Sequence, residues 1–451
     1  MKHLFAALLL FLASRVVAGQ PSDTPDIAPT CSARNAAKIL PQLQALLDRA
    51  DGVWPGYELA AKQLVYRQEG EPWLWRSGQL IGVDNDVLDG VGAAGNGVGF
   101  GDYQGWPVLV LEGMADCTAA EAQTESLLMQ TLQEAFIFYV QSGWSVLEWQ
   151  SSLSGEIYPL NAEVRSVRQH LLQALLQALA EPGARPQKLA EAAFWRLRWR
   201  ALAPREDQLG FTAELTLGTA AYVAIKARAL ELASHSGKSW QEEVVAMLKR
   251  QPAAMDAQAQ SRLIGALAGL LLDISWGAGS WQDAAIQGSL PLELLLGPVS
   301  AGRINPRSTI KPVVDYVYYT PTNGALKSLE AELQDAELPL LIVPSVVEQS
   351  HFEDRQGVRA GPYIMVLGDT PSQAYLGLNG ELEGLALKDV DALELVGEQD
   401  CDGLETALLI PLAQAHTFTN GQLSLNGDRL KGVIRAELHQ SAGRSLYCAE
   451  L

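Results

Sequence analysis

The sequence predicts an α+β protein in two parts, a mainly helical part with a small N-terminal sheet and a β-rich C-terminal part. Three observations carry that reading. Before residue 300, apolar residues recur at three- and four-residue intervals over long segments; between residues 63 and 111, short aromatic and β-branched runs are separated by glycines; beyond residue 312, strand-like runs alternate with Asn-Gly pairs.

The first element is an export signal. Met1-Lys2-His3 precedes an apolar run over 4–13, and Ser14-Arg15-Val16-Val17-Ala18-Gly19-Gln20 offers small residues where a signal peptidase cuts. A membrane anchor needs roughly 20 apolar residues, about twice this run. Residues 1–19 therefore read as a cleaved signal peptide, and the mature protein as periplasmic or secreted. The other long apolar stretch, 263–272, is bounded by Arg262 and Asp273 and contains two glycines, so it reads as a buried helix, and no membrane span is expected.

Helical period is found over 33–49, 118–142, 162–179, 187–202, 212–234, 240–250 and 257–274, and strand-like runs over 63–66, 73–75 and 106–111. About 430 mature residues exceed what one core usually serves. The Pro- and Gly-containing stretch 297–312 marks the boundary, giving a domain over 20–300 and a second over 301–451. In the second, strands are expected over 339–347, 363–367, 406–412, 422–425 and 433–438, with hairpin turns at Asn379-Gly380, Asn420-Gly421 and Asn426-Gly427.

Loss of Lys2 and Arg15 with the signal leaves 31 basic against 52 acidic side chains, a surface that repels nucleic acid. The four cysteines, Cys31, Cys117, Cys401 and Cys448, suggest two disulfides in an oxidising compartment. Four cysteines allow three connectivities; their clustering near the two ends favours Cys31 with Cys117 and Cys401 with Cys448. No two lie at the short spacing of a zinc site.

Several local patterns carry no chemistry. Gly90-Val91-Gly92-Ala93-Ala94-Gly95 has dinucleotide-fingerprint spacing, but Gly97, Gly99 and Gly101 follow, so no helix can start to hold a pyrophosphate; it reads as a flexible or edge-approaching loop. Gly237-Lys238-Ser239 reads as a helix end capped by Gly237. Gly143-Trp144-Ser145 lacks the closing glycine of a nucleophile elbow. Trp195, Trp199 and Leu202 share one helical face, so Arg196, Arg198 and Arg200 read as partners of acidic neighbours. The histidines are too scattered to form a local metal site.

One arrangement is informative through what it lacks. Leu132-Gln133-Glu134-Ala135-Phe136-Ile137-Phe138-Tyr139 resembles the zinc helix L-H-E-A-F-H of a metallopeptidase, in which residues i and i+4 face one way and the intervening Glu polarises a metal-bound water. Glu214-Leu215-Thr216-Leu217-Gly218-Thr219-Ala220-Ala221-Tyr222 is similar to the third-ligand helix E-L-x-E-G-x-A-x-Y of glutamate-zincin (gluzincin) peptidases. Tyr158-Pro159 and the segment from Gly265-Ala266 through Asp273 to Trp281 look like the same secreted bacterial relatives. The resemblance implies ligand positions at Gln133, Ile137 and Leu217, all substituted, and a vestigial catalytic Glu134.

Zinc needs three protein ligands, and only Gln133 offers a lone pair, so no metal and no cofactor is expected. The expectation is an exported, catalytically inactive metallopeptidase-like module whose cleft holds an extended peptide or protein partner. The alternative is an active hydrolase, using Glu134 with Glu163 or Glu214 as a carboxylate pair, or a zinc site rebuilt from His170 and His235. A third reading is an architectural envelope protein.

Overall fold

The computed structural model describes residues 30–450 apart from 85–91, 114–120, 147–154, 250–256, 302–318, 345–361, 397–400, 402–405 and a few shorter stretches. The expected signal peptide and Cys117 lie outside the described residues. The fold is α+β, with a small N-terminal sheet among helices and a large C-terminal sheet.

Helix α1 (Cys31–Asp51) starts where Thr30 Oγ1 accepts the Ala33 N–H at 3.2 Å. Its stripe Ala36, Leu40, Leu43 and Leu47 is fully buried at helical spacing. The strands β1 (Gln63–Gln68), β2 (Glu71–Arg76), β3 (Gln79–Gly82), β4 (Gly92–Ala94), β5 (Val98–Tyr103) and β6 (Trp106–Glu112) follow, in the order β3-β2-β1-β6-β5-β4. Alternation divides them between two layers. Leu64, Tyr66, Leu109 and Leu111 face the main core, while Val65, Val108 and Val110 pack with Leu74 and Tyr103 on the other side. The glycine-rich segment expected as a loop contributes the edge hairpin of β4 and β5, with Ala93 opposite Gly99.

The remaining elements of this part are α2 (Glu121–Tyr139), β7 (Glu156–Ile157), α3 (Ala162–Ala180), α4 (Arg185–Leu202), α5 (Pro204–Thr212), α6 (Gly218–Ser236), α7 (Trp240–Leu248), α8 (Ala257–Trp276), α9 (Gln282–Ile286) and α10 (Pro291–Leu296). Helix α6 is the axis, packed by α1, α2, α7 and α8. Its crossing with α8 is closest at Gly218 and Gly265, where a Cβ on Gly265 would lie 2.5 Å from the Glu214 carbonyl oxygen. Gly237 ends α6 at φ +71°, and a capping box between Ser239 and Glu242 starts α7. The helix expected over 212–234 is interrupted by a π turn, Ala213–Leu217. A wider turn leaves backbone acceptors out of the regular ladder, and the Thr216 carbonyl receives Gln141 Nε2 at 2.8 Å.

The second part opens with a helix that the strand-like patterning did not predict, α11 (Tyr319–Gln334), whose buried side Thr322, Leu326, Leu329 and Leu333 has helical spacing. Strands β8 (Leu340–Pro344), β9 (Tyr363–Leu367), β10 (Thr370–Leu382), β11 (Leu385–Val396), β12 (Thr406–Pro411), β13 (His416–Thr419), β14 (Gln422–Asn426), β15 (Leu430–Ser441) and β16 (Arg444–Ala449) follow. The ladder runs β13-β14-β15-β16-β8-β12-β11-β10-β9-β7 and also closes on itself, because Leu385–Leu387 of β11 pair with Leu430–Gly432 of β15. Strands β11, β12, β8, β16 and β15 thus form a ring. Leu341, Val343, Leu408, Ile410 and Tyr447 point into one core inside it, and their neighbours Leu340, Ile342, Ala407, Leu446 and Cys448 point into a second core shared with α11.

Asn420-Gly421 makes the β13–β14 turn with φ +51° and +74°, whereas Asn426 ends β14, paired with Lys431, and only Gly427 enters the connection to β15. Asn379-Gly380 makes no turn and lies within β10. There Asn379 Oδ1 accepts the Asp389 N–H at 3.0 Å, across an irregular stretch of the β10–β11 pairing. Cys401 and Cys448 are joined, with Cα atoms 5.7 Å apart, inside the α11-facing core. Cys31 is also disulfide-bonded. The expected division at residue 301 is crossed by β7, which runs parallel to β9. Asn323 of α11 reinforces this crossing by bonding both the N–H and the C=O of Leu160.

Candidate functional site

Helix α2 buries Leu128, Leu132, Ala135 and Phe136 and leaves Gln133, Glu134 and Ile137 half-buried. The Phe136 ring meets Trp54 edge-on at 5.1 Å, and Ile137 packs against the main core. Gln133 and Ile137 share a side of α2 by their i, i+4 spacing, and the helix packs on α6 and approaches the π turn that ends in Leu217. Above the end of α2, the exposed Phe138 stacks on Phe100 of β5 at 4.3 Å, which sets the β4–β5 edge of the small sheet beside the helix.

A zinc ion does not fit the donors at these positions: Ile137 and Leu217 have no lone pair, and a single Gln amide cannot hold the metal. Among the described residues, no group of three or more His, Cys, Asp and Glu is placed to hold a metal ion. His170 lies flat on Trp195 at 4.7 Å, with burial pulling its pKa down, and His235 is exposed beside Glu231 at 3.4 Å. Glu163 is bound by Arg198 at 2.7 Å at the start of α3. Neither the His170–His235 grouping nor the pairing of Glu134 with Glu163 gains support from these partners.

The similar segments do converge elsewhere. Tyr222 of α6 donates to Asp273 Oδ2 at 2.7 Å, Trp281 Nε1 donates to Asp273 Oδ1 at 2.9 Å, and Lys226 completes the set as an ion-pair partner of the same carboxylate. Gln282 Nε2 reaches the Tyr222 hydroxyl at 3.4 Å. Burial raises the pKa of Tyr222, and the adjacent Asp273 adds to the effect. The carboxylate joins α8 to α6 and to the start of α9.

A second buried network was not foreseen. Arg165 and Arg168 of α3 both bind Glu206 of α5, and Arg168 also donates to Ser261 and to the Ala257 carbonyl of α8. Burial opposes the charge on Glu206, yet the two guanidinium groups hold its pKa below the ordinary value; burial and the neighbouring Arg165 bring Arg168 down to about 10. A signal existed in the sequence: Arg165 and Arg168 are interleaved with Val164, Val167 and Leu171 on what is otherwise an apolar surface. Nearby, Arg196 binds Asp207 and Glu293, and Arg200 binds the same two carboxylates, as expected for arginines on a tryptophan-bearing helix.

Glu214, in the π turn, is fully enclosed, and its Oε1 has no hydrogen-bond partner. Burial pushes its pKa up to about 7, against the pull of Arg196 and Arg168 and with the help of Glu293 and Asp207. In the unfolded chain the group ionises near 4.5. Its contribution to stability is therefore intact below that value, is lost as pH rises through the interval to about 7, and stays lost above it. Glu214→Gln should flatten this part of the stability–pH curve and raise stability at pH 8 by about 3 kcal/mol. Urea midpoints of both proteins between pH 5 and 8 test this; parallel curves would refute it.

Together, these side chains bind helices to one another. Comparison with family models, curated proteins and solved structures finds no match to this chain.

Proposed function

We propose that this chain is an exported, metallopeptidase-like protein that does not cleave peptides and instead holds an extended peptide beside α2. The observation that supports this reading most directly is the chemistry of the three positions: a half-buried amide and two aliphatic side chains, Gln133, Ile137 and Leu217, where a zinc peptidase needs donors. Strand β4 is the last strand of the small sheet among the described residues and lies next to the strand that packs on α2. A terminal strand offers backbone groups to an added strand, and main-chain bonding of that kind tolerates many peptide sequences. The disulfide between Cys401 and Cys448 is consistent with an oxidising compartment, and none of the helices among the described residues is long and apolar enough to cross a membrane.

The test is to rebuild the site. The triple change Gln133→His, Ile137→His and Leu217→Glu should confer stoichiometric zinc binding that no single change confers, because three donors set by one scaffold act together. Metal binding should return more readily than peptidase activity, since the groups that orient histidine rings were not restored. A triple variant with unchanged circular dichroism that takes up no zinc would remove the basis of the peptidase resemblance. Hydrolysis of a peptide library by the unmodified protein would refute the inactive reading.

A further inference from the structure

Helix α5 is attached differently from its neighbours. Among its residues with described side chains Glu206 is the only buried one, while Leu209 and Phe211 are half-buried. By contrast, α4 buries Ala192, Trp195 and Trp199. What fastens α5 is its first turn: Glu206 binds Arg165 and Arg168 of α3, and Asp207 binds Arg196 and Arg200 of α4. The helix starts at Pro204, after Ala203 has left the helical conformation at φ −141° and ψ 66°, and it runs into the π turn. A short helix held by ion pairs more than by apolar contact, with an irregular joint at each end, has the build of a hinged element.

Glu214 stands at the second joint, enclosed and with Oε1 unbonded. The charged groups that act on it are Arg196 of α4, Arg168 of α3, Glu293 of α10 and Asp207 of α5. Of the other elements packed on the π turn, α8 meets it at Gly265 and the turn after α2 meets it at Gln141, neither of which titrates. Both guanidinium groups are already committed, Arg168 to Glu206 and Arg196 to Asp207 and Glu293. A Glu214 carboxylate can therefore be stabilised in two ways: it draws these arginines from the carboxylates of α5, or it reaches water. Either way loosens α5, because Arg168 and Arg196 are among the groups that fasten it. A protonated Glu214 makes neither demand.

We propose that α5, Pro204–Thr212, is a lid hinged at Ala203 and at the π turn, closed while Glu214 carries its proton and released more readily once the proton is lost. Closed, it covers the buried pair Arg165 and Arg168. It also covers the seam between the two parts, where Leu209 and Gly210 line one small cavity with Arg168 and Ser261 and with Ile157 of β7 and Ile364 of β9. Glu214 ionises near 4.5 in water and about 7 when enclosed, so opening becomes easier as pH rises through that interval. The inference is independent of the peptide-holding reading above, since it uses none of Gln133, Ile137 and Leu217.

The experiment is hydrogen–deuterium exchange of the full mature chain at pH 5.5 and pH 8, read by mass spectrometry and corrected for base catalysis at the amides. Segment 204–212 should exchange at least about tenfold faster than the buried middles of α4 and α8 at both pH values, because its opening does not require theirs. Its protection should fall on the order of tenfold from pH 5.5 to pH 8, as the proton linkage implies. In Glu214→Gln the segment should still exchange ahead of α4 and α8, and the fall with pH should be absent. Exchange in step with α4 and α8 would show that α5 opens only when the whole helical part unfolds. Constant protection across the two pH values would show that Glu214 does not govern the opening. Each of these results overturns the proposal without needing the variant to fold, and a fall that persists in folded Glu214→Gln overturns it as well.

Discussion

Glu206→Gln should destabilise the protein by about 3–5 kcal/mol, because it leaves two buried guanidinium groups without their shared anion. The Arg165 and Arg168 side chains are 2% and 1% exposed, and Glu206 is the carboxylate bound by both. Desolvating three charges is costly, and the arrangement is favourable only while attraction and hydrogen bonds offset that cost. Losing the anion removes the attraction and keeps most of the cost. The consequence reaches beyond α3 and α5, since Arg168 also holds Ser261 and the Ala257 carbonyl of α8. In the unmodified protein the same pair predicts acid sensitivity: Glu206 has a depressed pKa, so its contribution is present above the usual carboxylate value and is lost as pH falls below it. Urea unfolding of the variant at pH 7 checks the magnitude. A loss under about 1 kcal/mol, the range of exposed pairs, would mean that solvent reaches the pair.

Asp273→Asn is expected to cost a similar amount, about 3–5 kcal/mol, for a related reason. Three donors from α6 and the start of α9 converge on that carboxylate, and the Lys226 ammonium is 9% exposed with no other anion bonded to it among the described residues. An asparagine oxygen accepts less strongly, and its NH2 group points a donor at donors. The partner change Lys226→Met should be milder when Asp273→Asn is already present than in the wild-type background, because the buried charge is then already unpaired. A double-mutant cycle measures this as a coupling energy, expected at about 1–3 kcal/mol. Strict additivity would show that Lys226 and Asp273 do not act as a pair, despite their contact.

These two networks also indicate what a sequence can disclose about a site. Gln133, Ile137 and Leu217 were singled out by a resemblance alone, because a pattern of positions at i, i+4 and on a later helix is a statement about spacing. Tyr222, Asp273 and Trp281 were readable as segments but not as a cluster, since nothing in spacing says that one carboxylate receives both rings and Lys226. Arg165 and Arg168 could have been suspected from their place on an apolar face. Glu206, 41 and 38 positions away, could not.

The sequence by itself determined the local elements: the helical period of α1, α3, α4 and α8, the short apolar strand runs of β9 and β12, the left-handed cap at Gly237 and the turn at Asn420-Gly421. Each is governed by backbone geometry and by which side chains can be buried at a fixed period, and both are properties of neighbouring residues. Tertiary structure decided the rest. Asn379-Gly380 has the composition of a turn, yet it lies within β10 because the pairing with β11 continues past it to Leu382 and Leu385. The π turn at Ala213–Leu217 depends on Gln141 reaching the Thr216 carbonyl and on two glycines letting α6 and α8 approach. Closure of the strand ring rests on Leu385–Leu387 meeting Leu430–Gly432. Contacts between residues distant in the chain are selected by the whole packed arrangement, so no local window of sequence contains them.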